Sequence, residues 1–229
     1  MLWDIFCRVI DNHGDLGVCW RLSADLASRG HQIRLWVDDA SALSWMAPEV
    51  DLNAEGWGQL ASGAGHIEVR PWSTPLNDQA HVSQIWIEAF GCDLPEHFVN
   101  GASHQLKDLP DAPAPIWLNL EYLSAEAYVE RSHKLPSPVM SGPARGATKW
   151  FFFPGFTPDT GGLLREPNLA ARQAVFNRPA WLETLSLDKP IATHERLISL
   201  FCYEPTALPE LLTQLSQADT PTRLLVAQG

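Results

Sequence analysis

Two carboxylates four residues apart, Asp11 and Asp15, lie in the segment Val9-Ile10-Asp11-Asn12-His13-Gly14-Asp15-Leu16-Gly17-Val18. A glycine loop that binds phosphate offers bare backbone N–H groups at the positive end of a helix. Acids at that place repel a pyrophosphate, so this loop is suited to holding a cation or accepting a proton. Two uses of the pair compete. In one, a carboxylate of the pair accepts a proton while the other orients the group that loses it. In the other, Asp15 caps the following helix and Asp11 binds loop N–H groups. Asn12, Gly14 and Gly17 are read as loop positions where the glycines allow a ligand to come close. His13 is either a competing base or a variable loop side chain.

A loop of this kind needs elements to hold it. The apolar run 2–7 precedes it, and Trp20-Arg21-Leu22-Ser23-Ala24-Asp25-Leu26-Ala27 comes after it with helical spacing. Strand, glycine loop and helix form the first unit of a doubly wound α/β domain, in which ligands bind outside the carboxyl ends of the strands. The loop is therefore expected to be open to the cleft. Further strands are predicted at 32–37, 67–70, 83–90, 116–120 and 149–156. Helices are predicted at 41–45, 95–106, 121–131 and, apart from Pro179, 169–185. Residues 55–65 and 134–148 read as irregular. A new β-α-β start begins near Asp188-Lys189-Pro190, with a strand at 196–203, a helix at 208–218 and a strand at 222–227. A single such unit cannot cover both faces of its sheet. The expected organisation is a domain over 1–188 and the incomplete start of a second over 189–229.

Composition removes several function classes. The chain has 229 residues, 16 basic against 27 acidic, and a net charge of −11. Non-specific nucleic-acid binding needs clustered Lys and Arg, so none is expected. Gly, Pro or charge interrupts every apolar run short of a membrane span. Met1-Leu2-Trp3-Asp4 lacks the basic start and apolar stretch of a signal peptide. Cys7, Cys19, Cys92 and Cys202 have no metal-type spacing and are expected to be reduced, mostly buried thiols of a cytoplasmic protein. No metal site is expected. Most of the ten Trp are assigned to the core.

The Asp11–Asp15 segment, together with several later stretches of the chain, resembles the protein-arginine rhamnosyltransferases that modify elongation factor P, the EarP family. Ordered matches continue through 34–39, Ile87-Glu88-Ala89-Phe90-Gly91-Cys92-Asp93-Leu94-Pro95-Glu96 and Trp117-Leu118-Asn119-Leu120-Glu121-Tyr122 with its next four residues. They extend through 135–138, 153–157 and 161–166 to Leu200-Phe201-Cys202-Tyr203. The resemblance implies an α/β, GT-B glycosyltransferase. A Rossmann-like N-terminal domain would be followed by the truncated start of a second Rossmann-like domain that binds the nucleotide sugar. It implies transfer of rhamnose from dTDP-β-L-rhamnose to one arginine of elongation factor P, with inversion and with neither metal nor cofactor.

On that resemblance Asp15 is the expected general base and Asp11 the second functional aspartate. The chemistry fits, because an arginine side chain stays protonated and is a poor nucleophile until a carboxylate takes a proton. A carboxylate also matches the guanidinium fork. Phe201 and Tyr203 match positions that pack against the thymine base and contact the nucleotide; as ordinary strand residues they would be core instead. Glu88, Asp93, Glu121 and Tyr122 stand at strand ends, either holding the acceptor protein or satisfying backbone donors. Two rival readings are a non-catalytic module that docks elongation factor P and a glycosyltransferase with another donor or acceptor. A chain of this length is expected to bind the acceptor but to transfer no sugar alone.

Overall fold

The computed structural model describes residues 1–10, 13–76, 81–109, 111–185, 187, 191–192, 194–202 and 205–226. Asp11, Asn12 and Tyr203 lie outside the described residues. The chain divides into two compact units, Met1–Glu166 and Pro167–Gly229.

The first unit is built on a large, mostly parallel sheet. Its strands are β1 (Leu2–Cys7), β2 (Gln32–Val37), β3 (Gly58–Ser62), β4 (Gly65–Pro71), β5 (Ile85–Ala89), β6 (Ile116–Leu120), β7 (Pro136–Pro138) and β8 (Thr148–Phe152). They lie in the order β3-β4-β2-β1-β5-β6-β8-β7. The six inner strands run parallel, and β3 and β7 close the edges in antiparallel fashion. The helices are α1 (Gly14–Ser28), α2 (Leu43–Met46), α3 (Glu96–Asp108) and α4 (Tyr128–Ser132).

Alternation along the strands separates two cores. Ile5, Ile33, Leu35, Ile67, Val69 and Ile87 point to the face covered by Leu16, Cys19, Trp20 and Ala27 of α1. Phe6, Trp36, Trp86 and Trp117 point to the other face, against Phe98, Val99 and Ala102 of α3. The Phe6 and Phe98 rings meet edge-on with centroids 4.6 Å apart. Both large core clusters belong to the first unit. Cys7, Cys19 and Cys92 are buried there, whereas Cys202 is exposed.

The face opposite α1 also carries two ion pairs, one buried and one partly exposed at its lysine. Asp4 and Arg34 are directly opposed in the β1–β2 register. The Asp4 carboxylate accepts two bonds from the Arg34 guanidinium, one from Trp36 Nε1 (2.6 Å) and one from Ser83 Oγ (2.6 Å). Glu88 pairs with Lys149 Nζ (2.8 Å) and accepts from Trp117 Nε1 (3.1 Å).

Several expected elements differ. The 55–65 stretch contains β3, which turns through Gly63 (φ +59°) to pair with β4. The predicted helix at 121–131 is reduced to α4. The aromatic strand ends at Phe152, just before Pro154, and β7 occupies part of the stretch read as irregular.

The second unit contains α5 (Leu169–Ala174), α6 (Arg178–Glu183), β9 (Arg196–Leu200), α7 (Leu208–Ser216) and β10 (Thr222–Val226). Pro179 starts α6 rather than interrupting a longer helix, as a first-turn proline does. Strands β9 and β10 pair in parallel. Among the described residues, this unit buries no side chain fully. No helix among the described residues is long and apolar enough to cross a membrane.

Candidate functional site

Strand order reverses at β1: β2 and β4 lie on one side, β5, β6 and β8 on the other. In an open parallel sheet, the crevice beyond the carboxyl ends at such a reversal is where ligands bind. Three chain segments border it here: the first turn of α1, which follows β1, the turn after Ala89 and the segment after Leu120.

Asp15 stands in the first turn of α1. Its Oδ1 accepts a hydrogen bond from the Tyr122 hydroxyl at 3.0 Å, across 107 positions of sequence. Its Oδ2 is buried and has no hydrogen-bond partner among the described residues. The residue is only 5% exposed, which corrects the expectation of an open loop position. The helix-capping alternative is not realised either. The N-cap is His13, without a side-chain cap bond, and the helix opens with Gly17 N–H donating to the His13 carbonyl (2.9 Å). The positive end of α1 favours a negative charge in this first turn, by about 0.3–1 kcal/mol in general.

Gly14 and Gly17 are also helical rather than loop residues. A Cβ at Gly14 would meet nothing within 4 Å, and one at Gly17 only Met46 Sδ at an ordinary 3.6 Å. The fold itself therefore does not require glycine at either position. The His13 imidazole packs edge-on against the Trp45 ring (4.9 Å).

The turn after β5 is unusual. Phe90 (φ +57°), Gly91 (φ +66°) and Asp93 (φ +51°) all adopt the left-handed conformation. A non-glycine residue held there costs on the order of 1–3 kcal/mol, maintained only by surrounding structure. Phe90 N–H donates to the Leu120 carbonyl (2.7 Å), and its ring stacks on Tyr122 at 4.2 Å with 12° between the planes. Tyr122 is thus gripped from one side while its hydroxyl holds Asp15.

The other strand-end acids separate. Glu88 is buried and occupied by Lys149 and Trp117, so it satisfies internal donors rather than facing the crevice. Asp93 is exposed, 3.7 Å from Lys149 Nζ. Glu121 accepts from Asn119 Nδ2 (2.7 Å). Phe201 lies just beyond β9 and is 81% exposed, not strand core.

Beside this site, a groove of about 740 Å³ runs between α1 and the 154–164 segment. Its wall is mainly apolar, with Trp3, Leu22, Leu118 and Phe152 joined by Phe90 and Tyr122 at one part. Asp15 does not line it. Among the described residues, no group of three His, Cys, Asp or Glu side chains is placed to hold a metal ion.

Sequence reasoning picked out Asp15 but could not see its tie to Tyr122, which depends on tertiary placement. The Asp4–Arg34 pair did leave a trace, one charge embedded in each of two apolar runs, Leu2-Trp3-Asp4-Ile5-Phe6 and Ile33-Arg34-Leu35-Trp36.

A carboxylate with one oxygen held and the other turned to no internal donor can take a proton or receive a cationic hydrogen-bond donor. Residues 3–229 match the family model described as Elongation-Factor P (EF-P) rhamnosyltransferase EarP. A protein-arginine rhamnosyltransferase of Pseudomonas putida is 44% identical over 233 residues, covering 99% of this chain and 57% of that protein. One of Pseudomonas aeruginosa is 43% identical over the same shares. One of Neisseria meningitidis is 37% identical over 97% of this chain and 53% of that protein. The chain thus spans little more than half the length of these relatives.

Proposed function

Because the chain belongs to the elongation-factor P rhamnosyltransferase family EarP, we propose that it forms the acceptor-facing part of an inverting GT-B glycosyltransferase. The enzyme moves rhamnose from dTDP-β-L-rhamnose to an arginine of elongation factor P. The observation that carries this reading is the Asp15 carboxylate at the strand-order reversal, with Oδ1 held by Tyr122 and Oδ2 without a partner among the described residues.

In the reaction, Oδ2 takes a proton from one guanidinium nitrogen. The freed electron pair attacks C1 of the sugar from the face opposite the diphosphate. The C1–O bond breaks, and its electrons leave with dTDP. One base suffices, because a nucleotide diphosphate needs electrostatic stabilisation rather than the protonation a glycosidic oxygen requires. Asp11 orients the guanidinium, and Asn12, Gly14 and Gly17 border the donor sugar. The missing side chains at Gly14 and Gly17 leave space that the fold does not fill. Phe201, exposed enough to stack on a base, and Tyr203 belong to the nucleotide-binding side. Backbone dipoles and basic groups can stabilise the diphosphate without metal. A translation factor as acceptor places the reaction in the cytoplasm.

Asp15→Asn and Asp15→Ala in the full-length protein test this reading. Each should cut transfer by at least about a hundredfold, the usual worth of a general base. Intact-mass spectrometry of elongation factor P incubated with donor reads the outcome, and excess EDTA should leave the wild-type rate unchanged. Near wild-type modification by Asp15→Ala removes Asp15 from the mechanism, and activity lost to EDTA and restored by Mg²⁺ removes the metal-free route.

A further inference from the structure

We propose that Tyr122 is a positioning residue for Asp15, and that the left-handed turn at Phe90–Gly91 exists to clamp it. The inference rests on the reading of Asp15 as the base. A free carboxylate rotates about its Cβ–Cγ bond and exchanges its two oxygens. The Tyr122 hydroxyl donates to Oδ1, which fixes the plane of the group and leaves Oδ2, buried and without a partner among the described residues, as the oxygen whose acceptor capacity is unused.

Tyr122 could not do this if its own ring were free to turn, since about half of the residue is exposed to solvent (52%). Phe90 supplies the restraint. Its ring lies almost parallel to that of Tyr122, and its N–H is tied to Leu120, two residues before Tyr122. Phenylalanine gains nothing locally from a φ of +57°, and burial alone does not ask for it. Backbone strain at a ligand crevice is consistent with a site held ready, and here the strained residue touches the group that touches the carboxylate. The chain Phe90–Tyr122–Asp15 therefore links all three segments that border the strand-order reversal. Preorganisation of this kind acts on the rate of the chemical step more than on substrate affinity.

Tyr122→Phe in the full-length protein isolates the hydroxyl, because the ring and its stack on Phe90 remain. With elongation factor P as acceptor and dTDP-rhamnose as donor, kcat should fall about tenfold to a hundredfold, the range for a lost hydrogen bond to a charged group. Both KM values should stay within about twofold, as for an interaction used mainly in the transition state. Phe90→Leu, which keeps the hydroxyl but removes the stack, should lower kcat in the same direction by less. A double-mutant cycle separates the positioning role of Tyr122 from the role of Asp15 as base. In an Asp15→Ala background, Tyr122→Phe should cost nothing further, because its effect passes through Asp15. An equal loss in both backgrounds, or an unchanged kcat in Tyr122→Phe, overturns the positioning role while leaving Asp15 as the base. Asp15→Ala that keeps near wild-type activity overturns the underlying reading instead.

Discussion

Asp4 and Asp15 are both buried carboxylates near the start of the chain, and their surroundings treat them in opposite ways. Among the described residues, Asp4 receives four donated hydrogen bonds and the full charge of Arg34, whereas Asp15 receives one bond, from Tyr122. Buried polar groups are normally satisfied, so an under-satisfied carboxylate at a ligand crevice points to use rather than to support. The two should therefore respond differently to loss. Asp4→Ala leaves Arg34 buried without its counter-charge and should cost about 3–5 kcal/mol, as breaking a buried ion pair does. Asp15→Ala removes one hydrogen bond and should cost about 1 kcal/mol. Urea unfolding of both variants against the parent checks the pair of values; equal losses would show that Asp15 is as structural as Asp4. Neither role could be assigned from residue type, since both are aspartates beside apolar runs. What separates them is the number of donors that arrive from strands and loops distant in sequence.

At the scale of elements, β1, β2, β5 and β6 were legible as short runs dominated by large apolar side chains, and α3 because Phe98, Val99 and Ala102 recur on one helical face and are the residues it buries. β3 was not, since Gly58-Gln59-Leu60-Ala61-Ser62 carries a single large apolar side chain and is placed by its pairing with β4. β7, with Pro136 and Pro138, sits at a sheet edge, where a proline that cannot donate is tolerated. The helix predicted from Glu121 failed for a tertiary reason. Glu121 N–H donates to the Phe152 carbonyl and Tyr122 is drawn to Asp15 and Phe90, so no helix forms before Tyr128. Where α4 does form, its C-cap His133 is the acceptor for Phe153 N–H through Nδ1 (3.1 Å), joining the helix end to the end of β8. Burial, then the charge of Lys134, lowers the His133 pKa, favouring the neutral ring that this bond requires. A depressed folded-state value means the unfolded chain binds the proton more readily, so the stabilisation is present above about pH 6.5 and is lost as pH falls below it. Urea midpoints at pH 7.5 and 5.5 should therefore differ more for the parent than for His133→Gln. Equal differences would exclude this histidine.

On the scale of the whole molecule, the two units have unequal foundations. The first carries the large apolar clusters on both faces of its sheet; in the second, no described side chain is fully buried and β9 and β10 make a two-stranded sheet. Two strands without a covering core are marginal in water. Amide hydrogen exchange should divide the same way, with β1, β2 and β5 protected near the global limit and β9 and β10 exchanging orders of magnitude faster. Comparable protection in both would show that the second unit has a core of its own. The Asp4–Arg34 pair bears on how so large a sheet assembles at all. Parallel strands with alternating apolar side chains can align in several nearly equivalent ways, and a slip by two residues keeps every apolar side chain on its proper face. For β1 and β2 that slip would set Arg34 opposite Leu2 or Phe6, burying a guanidinium with no carboxylate across from it. The pair works as a key that fits one alignment. Its value lies in refolding yield: chains in which both residues are replaced by apolar ones of similar size could match the parent in equilibrium stability, yet lose more material to mispaired, aggregating sheets.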